Sequence, residues 1–402
     1  MNSILICTIA VIMAAYLIFS KKLKNSSDWK ATVTPLASIM GSGFLVSAPL
    51  LAGVVGNLAV VFMGVLLLLA YFVGSAIRFN IRYFEPIETS GHGAAQEIAF
   101  ASRIVLSGAY FVSVSYYLQL LAAFALDSFG VKNQIAANCI TTALLLIIGC
   151  IGIWRGLGEM EKTERFAVSL NLGMIGALLV GLLVYNGKLI SAGTWELAQL
   201  PTEISFHNLR VVLGLLIVVQ GFETSRFLGD EHPAEQRIRT MRNAQLISAL
   251  IYVVFIALAT VLFRSDFGTD VTAIMKMTRP VAFALPVLIG IAAIGSQFSA
   301  AVADNAGAGG LIEDISERKL SVRYAYLLVL VVTIVLTWQT DVNQIISYAS
   351  RAFALFYALQ GVVAFLVAWD LRDLPKRRLH LATFCIVTAL CLLVFSMGLS
   401  SE

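Results

Sequence analysis

Charge is what this sequence has least of. Asp, Glu, Lys and Arg supply only 13% of its 402 residues, against 59% hydrophobic residues and a mean hydropathy of +0.86. A water-soluble globular domain does not have that composition. Histidine is equally sparse. His92, His207, His232 and His380 lie far apart and near loops, and the chain holds no His-Glu-x-x-His helix, no Ser-x-x-Lys on an apolar helix and no phosphate-binding glycine loop in a βα unit. A hydrolase working inside the membrane is left without its usual residues. Cys7, Cys139, Cys150, Cys385 and Cys391 all sit in apolar runs without metal-ligand spacing, so they read as small hydrophobes rather than as a disulfide framework. No basic run exceeds three residues, and the net charge of +4 therefore marks no nucleic-acid surface. The basic region that opens a signal peptide is also missing: Lys21, Lys22 and Lys24 follow the apolar run 4–19 instead of preceding it. That polarity predicts a retained helix within residues 1–24 with its N-terminus outside.

What the chain has in abundance is apolar runs. About twelve are long enough to span a bilayer, near 3–20, 32–55, 57–78, 104–126, 134–154, 165–185, 208–228, 243–263, 280–312, 321–338, 343–369 and 379–398. The fold class expected is an all-α, multi-pass membrane protein of the cell (inner) membrane, its only large partners being the lipid bilayer and copies of unknown number. No segment outside the membrane is long enough to fold alone. Most of the basic residues fall in alternate loops, 21–31, 78–103, 155–165, 226–242, 318–323 and 372–378. Only Lys132, Lys188, Arg210, Arg264, Lys276 and Arg279 fall in the others, with Arg351 inside a span. The positive-inside rule then places the first set of loops in the cytoplasm and both termini outside.

Two of the spans are interrupted. Ala37-Ser38-Ile39-Met40-Gly41-Ser42-Gly43-Phe44 puts two glycines and two hydroxyls about 15 Å into a span that starts near Ala31. That is about half of a hydrocarbon core roughly 30 Å thick, so a helix break near the midplane is expected there. The second interruption is Val219-Gln220-Gly221-Phe222-Glu223-Thr224-Ser225. Unwound backbone at this depth is tolerated only where protein or a polar cavity satisfies it, and paired interrupted helices point to a transporter substrate site. Helices 32–55 and 208–228 run in opposite directions, which divides the chain into inverted five-helix units, 32–185 and 208–369, with an extra helix at each end. Twelve unrelated helices remain the alternative to that repeat.

The glycine-rich stretch with Ala48-Pro49 behind it, and Gly221-Phe222-Glu223-Thr224-Ser225 followed by a charged loop and Arg242-Asn243-Ala244, resemble the first and sixth helices of the amino acid, polyamine and organocation transporter superfamily. The likeness covers nearly the whole of residues 32–398. It implies a five-plus-five inverted repeat with broken first and sixth core helices (the LeuT-like fold), and secondary transport of an amino acid or related small amine by alternating access, with no cofactor. It also implies that the substrate carboxylate meets backbone N–H groups of the first break and its amine meets carbonyls of the sixth. Half-helix termini expose just such groups, since their end N–H and C=O lack intrahelical partners and carry the dipole. Ser38, Met40, Gly41, Ser42, Gly43, Gln220, Gly221 and Phe222 are the candidate substrate residues, with Tyr116 as an aromatic wall.

Glu223 lies fourteen residues, roughly 21 Å, beyond Leu209. An ionisable group at that depth is a functional candidate by default, and the resemblance implies proton sensing; a structural carboxyl bonded to unwound backbone is the alternative. Ser299 and Asp304, on a polar stripe of an apolar helix, are candidates for a Na⁺ or proton site against the first break. Arg351 is a candidate for snorkelling outward, pairing with a carboxylate or binding an anionic substrate group. The coupling ion stays open. Sodium-coupled relatives usually show two adjacent hydroxyls where this chain has Ser299-Ala300, and proton-coupled ones sometimes carry a lysine where it has Asn171. Ile217, where arginine exchangers have an aromatic gate, speaks against a guanidinium substrate. A sodium/solute symporter of the same fold and a non-transporting sensor are the other readings.

Overall fold

The computed structural model describes residues 3–89, 93–155, 158–198, 200, 204–229 and 231–401, without the side chains of Lys24, Ser42 and 155–166. Its helices are α1 (Ser3–Phe19), α2 (Ser27–Val55), α3 (Ala59–Tyr83), α4 (Ala94–Ser128), α5 (Gln134–Arg155), α6 (Gly158–Ser191), α7 (Phe206–Leu213), α8 (Ala234–Ala259), α9 (Ala273–Thr278), α10 (Leu285–Ile315), α11 (Val322–Gln339), α12 (Val342–Asp370) and α13 (Arg377–Met397). Among the described residues nine helical stretches are long and apolar enough to cross a membrane, with the α2–α3 run counted as one. Together with the 17-residue α1 and the broken segment that starts at α7, every expected span has its counterpart.

Helix starts follow capping chemistry. The Ser26 hydroxyl accepts from the Trp29 N–H at 3.1 Å and opens α2. Asp341 and Gln344 form a reciprocal capping box at the start of α12. Pro233, whose missing N–H costs nothing at a helix start, precedes α8, so the charged loop after residue 229 becomes that helix's first turns. In the same way α4 begins at Ala94, ten residues ahead of its apolar run.

Two sets of helices pack among themselves. α2 and α3 pack on α8 and on the broken segment, while α4 packs most extensively on α10 and α12, and α5 on α11. α1 lies against α6, where a side chain on Gly173 would collide with the Ala10 carbonyl. Buried polar ties reinforce each set. Gln245 of α8 accepts from the Arg78 guanidinium and donates to the Ala70 carbonyl at 2.8 Å, both in α3. In the other set, Ser115 donates to the Thr333 carbonyl at 2.9 Å.

The expected break in the first core helix is not there: α2 runs unbroken through Gly41 and Gly43. Neither glycine has positive φ. A helical glycine costs only about 0.5–1 kcal/mol, which close packing offsets. Gly43 shows that packing, since a Cβ on it would collide with the Val218 Cα. Small residues at a helix crossing, rather than an unwound loop, explain the Gly-x-Gly spacing.

The second break is present. α7 ends at Gly214, a 3₁₀ turn spans Leu216–Val219, and Gln220 is extended at φ −86°, ψ 176°. Gly221 then takes φ +114°, a conformation open to glycine and strained for other residues, before a six-residue 3₁₀ turn over Phe222–Phe227. The β-branched run Ile217-Val218-Val219 has weak helix propensity. Side chains satisfy what the break frees. Ser350 accepts from the Ile217 N–H at 2.9 Å, and the Tyr252 hydroxyl reaches the Val218 carbonyl.

Candidate functional site

The two interrupted regions meet where Gly221 lies against α2. A Cβ there would be 2.5 Å from the Ser38 hydroxyl oxygen and 2.7 Å from the Ser38 carbonyl carbon, so only glycine allows this approach. Beside the contact, a cavity of about 990 Å³ opens toward the side of loop 84–89. Ser38 and Gly41 of α2, Tyr110 of α4, Asn171 of α6, Thr224 of the broken segment, Ser299 and Asp304 of α10 and Gln360 of α12 line its inner part. Apart from its chain neighbours and the backbone of its own helix, no heavy atom lies within 4 Å of a Cβ added to Gly41, so its face is open to the cavity.

Six charged groups line the mouth, and they pair off. Arg226 meets Glu88 at 3.3 Å, Arg237 meets Glu85 at 2.7 Å, and Arg103 meets Asp314 at 2.5 Å. Deeper in, Asp304 accepts from the Ser113 hydroxyl.

Behind the cavity wall Glu223 is buried. Its Oε2 accepts from the Gly221 N–H at 3.0 Å and from the Tyr357 hydroxyl at 2.8 Å. The ring of Phe222 stacks on Tyr357 at 5.3 Å, and the Gln220 amide donates to the Tyr117 hydroxyl at 3.2 Å. One carboxylate oxygen thus holds the left-handed Gly221 to α12. Among the described residues no Lys, Arg or His lies within 4.0 Å of Glu223.

Of the sequence candidates, the structure gathers Ser38, Gly41, Ser299 and Asp304 around the cavity, and Gln220, Gly221, Phe222 and Glu223 behind it. Met40 and Tyr116 are buried in the core and do not line the cavity. Gly43 faces Val218, and the side chain of Ser42 lies outside the described residues. Arg351 is at neither place: its Nε donates to the Phe395 carbonyl at 2.7 Å, tying α12 to α13. A bond to the α13 backbone thus stands where pairing with a carboxylate was one expectation.

Side chains of α8 and α10 also reach carbonyls of α2. Gln297 donates its amide to the Gly41 carbonyl at 2.8 Å, and the Tyr252 hydroxyl reaches the Ile39 carbonyl at 3.1 Å. In a continuous helix each carbonyl also receives the N–H four residues on, so both lone pairs of the Gly41 carbonyl are used, while the single Tyr252 proton is shared between the Ile39 and Val218 carbonyls. Gln297 and Tyr252, which contact α2, and Gln360, which lines the cavity, are not among the sequence candidates. The spacing of Phe353, Phe356, Tyr357 and Gln360 along one helix is the available signal for the last of them.

A family model for an APC superfamily transporter matches residues 21–398. An uncharacterized protein of Aquifex aeolicus is 40% identical over 396 residues, covering 96% of this chain and 95% of that one. Among solved structures, a point mutant of the Eremococcus coleocola manganese transporter superposes with TM-score 0.56 at 13% identity, covering 92% of this chain and 87% of its own. The same transporter in complex with an aromatic bis-isothiourea substituted compound gives 0.56 at 14%, covering 92% and 88%. At these identities the likeness shows the fold, which is LeuT-like.

Proposed function

The chain belongs to the APC superfamily of transporters, and from that membership we propose that it carries an amino acid or related small amine by alternating access, coupled to protons or as an exchanger. The observation that carries the reading is the cavity that ends on Gly41, Thr224 and Asp304 beside the broken helix. Because the N–H groups of residues 41–43 are committed to α2, side chains meet the substrate first. Asp304 receives the amine, and the hydroxyls of Ser38 and Ser299 donate to the carboxylate. Residues 32–185 and 208–369 are the two inverted repeats whose relative motion exposes this site to each side in turn. The cavity mouth faces the cytoplasm and both termini lie outside, because the loops around the mouth are the arginine-rich ones.

The structural neighbours are manganese transporters, which makes a metal cargo the competing reading. The donor set favours the organic one. Among the described residues no three of His, Cys, Asp and Glu are gathered closely enough to hold an ion. For coupling, the occupied carbonyl of Gly41 favours protons over sodium. Glu223 is the proton carrier of this proposal, since its charge is the switch that holds or releases Gly221.

A thermal-shift screen of amino acids, amines and Mn²⁺ on detergent-solubilised protein tests the substrate class. A ligand at about 100 times its Kd stabilises the native state by roughly 2.7 kcal/mol. Stabilisation by an amino acid or amine is the expected result. Stabilisation by Mn²⁺ alone would replace this proposal with the metal reading.

A further inference from the structure

We propose that the Gln360 side chain is a latch between the two helix sets, a positioning residue that fixes how long the cavity stays open toward loop 84–89. The inference rests on the alternating-access reading. Gln360 is fully buried on α12, and its two ends bond to opposite sets. Its Oε1 accepts from Asn80 of α3 at 3.0 Å and from the Arg226 guanidinium at the end of the broken segment. Its Nε2 donates to the Ser102 hydroxyl of α4 at 2.8 Å. Asn80 adds a second bond, at 2.9 Å, to the Gln360 backbone carbonyl.

Arg226 gives the latch its direction. Its other terminal nitrogen sits 3.3 Å from both oxygens of Glu88, longer than a good charge-assisted bond of about 2.7–2.9 Å, so the amide oxygen takes a full share of the guanidinium. Arg226 also lines the cavity. When the broken segment moves away from α12, the guanidinium passes into cavity water while the buried Gln360 oxygen keeps only its Asn80 donor and has one lone pair unmet. An unmet buried polar group is unfavourable, so the contact holds the conformation in which it is made.

Gln360→Glu strengthens the contact, because a carboxylate accepts from Arg226 and Asn80 and the Ser102 hydroxyl can turn to donate to it. Gln360→Leu removes the contact. Conformation is read with a cysteine at Ala37, which lines the cavity on α2, reacted in sealed vesicles with a charged, impermeant methanethiosulfonate. The reagent is applied from the side on which a cysteine at Ser27 reacts. Gln360→Leu should slow labelling about tenfold, the factor that corresponds to about 1.4 kcal/mol. Gln360→Glu should keep labelling at least as fast as the parent's while slowing substrate exchange. Should the leucine variant not fold, Ser102→Ala takes its place, with slowing of about threefold expected. Equal labelling in every variant, or a shift of the glutamate and the neutral variant in the same direction, overturns the latch. Labelling needs no substrate, so it stays readable if the substrate class is wrong. A parent that lets the impermeant reagent pass through into the sealed vesicles would instead refute alternating access itself.

Discussion

Glu223→Gln is the substitution that separates a switch from a structural carboxyl. Glutamine keeps the shape and one carbonyl oxygen, which can accept from both the Gly221 N–H and the Tyr357 hydroxyl. Each bond changes from charged, about 1.5–3 kcal/mol, to neutral, about 0.5–1.5 kcal/mol, so the two together lose about 1–3 kcal/mol. Relief from burying a charge that has no cation within 4.0 Å among the described residues works in the opposite direction. The net change in stability should stay within about 2 kcal/mol. Glu223→Ala is the control: it leaves the Gly221 N–H without its carboxylate acceptor, at about 1–3 kcal/mol, leaves the Tyr357 hydroxyl only the Gln220 oxygen at 3.4 Å, and adds a void. In proteoliposomes the glutamine variant should exchange substrate at a rate near the parent's, yet fail to accumulate it under a pH gradient. Undiminished pH-driven accumulation would refute the reasoning and move the proton route to Asp304. A glutamine variant as unstable as the alanine one would show that the carboxylate's charge is structural.

Gly41→Val should fold and lose substrate binding, because its side chain projects into the open cavity, whereas Gly43→Val should melt well below the parent, since its Cβ meets the Val218 backbone. Equal melting of the two variants would contradict that difference in packing. A cysteine at Ser27 should react with impermeant thiol reagents only from the cytoplasm and one at Ser191 only from outside; the reverse pattern overturns the orientation. In the loop before α9, Lys132 and Thr272 hold the Asp270 carboxyl below its ordinary value, although partial burial works to raise it. A depressed carboxyl stabilises above its unfolded pKa and loses that contribution as pH falls through the folded one. Asp270→Asn should therefore melt lower than the parent near neutral pH, by less than about 1 kcal/mol for so exposed a pair, and the gap should close as pH falls below the ordinary carboxylate range. A gap that persists there would assign the effect to packing.

Hydropathy makes the spans legible because the bilayer demands about 20 apolar residues of every helix, and Gly221-Phe222-Glu223 marks the second break because a carboxyl at that depth needs a reason. The first break misleads: a glycine that unwinds a helix and a glycine that lets two helices touch look alike until the neighbour, here Val218, is known. Gln297 and Gln360 are illegible for a related reason. Their roles lie in partners 256 to 280 residues away, the Gly41 carbonyl and Asn80, and no local spacing encodes such pairs. Arg351 looks functional from depth alone, yet the backbone carbonyl of Phe395 satisfies it.

Counterflow in proteoliposomes tests the central claim most directly. Vesicles loaded with the amino acid or amine found by thermal shift, and diluted into a trace of the labelled compound, should accumulate label transiently and release it chemically unchanged. Gly41→Val vesicles should not. Absence of counterflow from folded parent protein with a ligand that demonstrably binds would contradict transport and leave a sensor; label recovered in altered form would point to an enzyme.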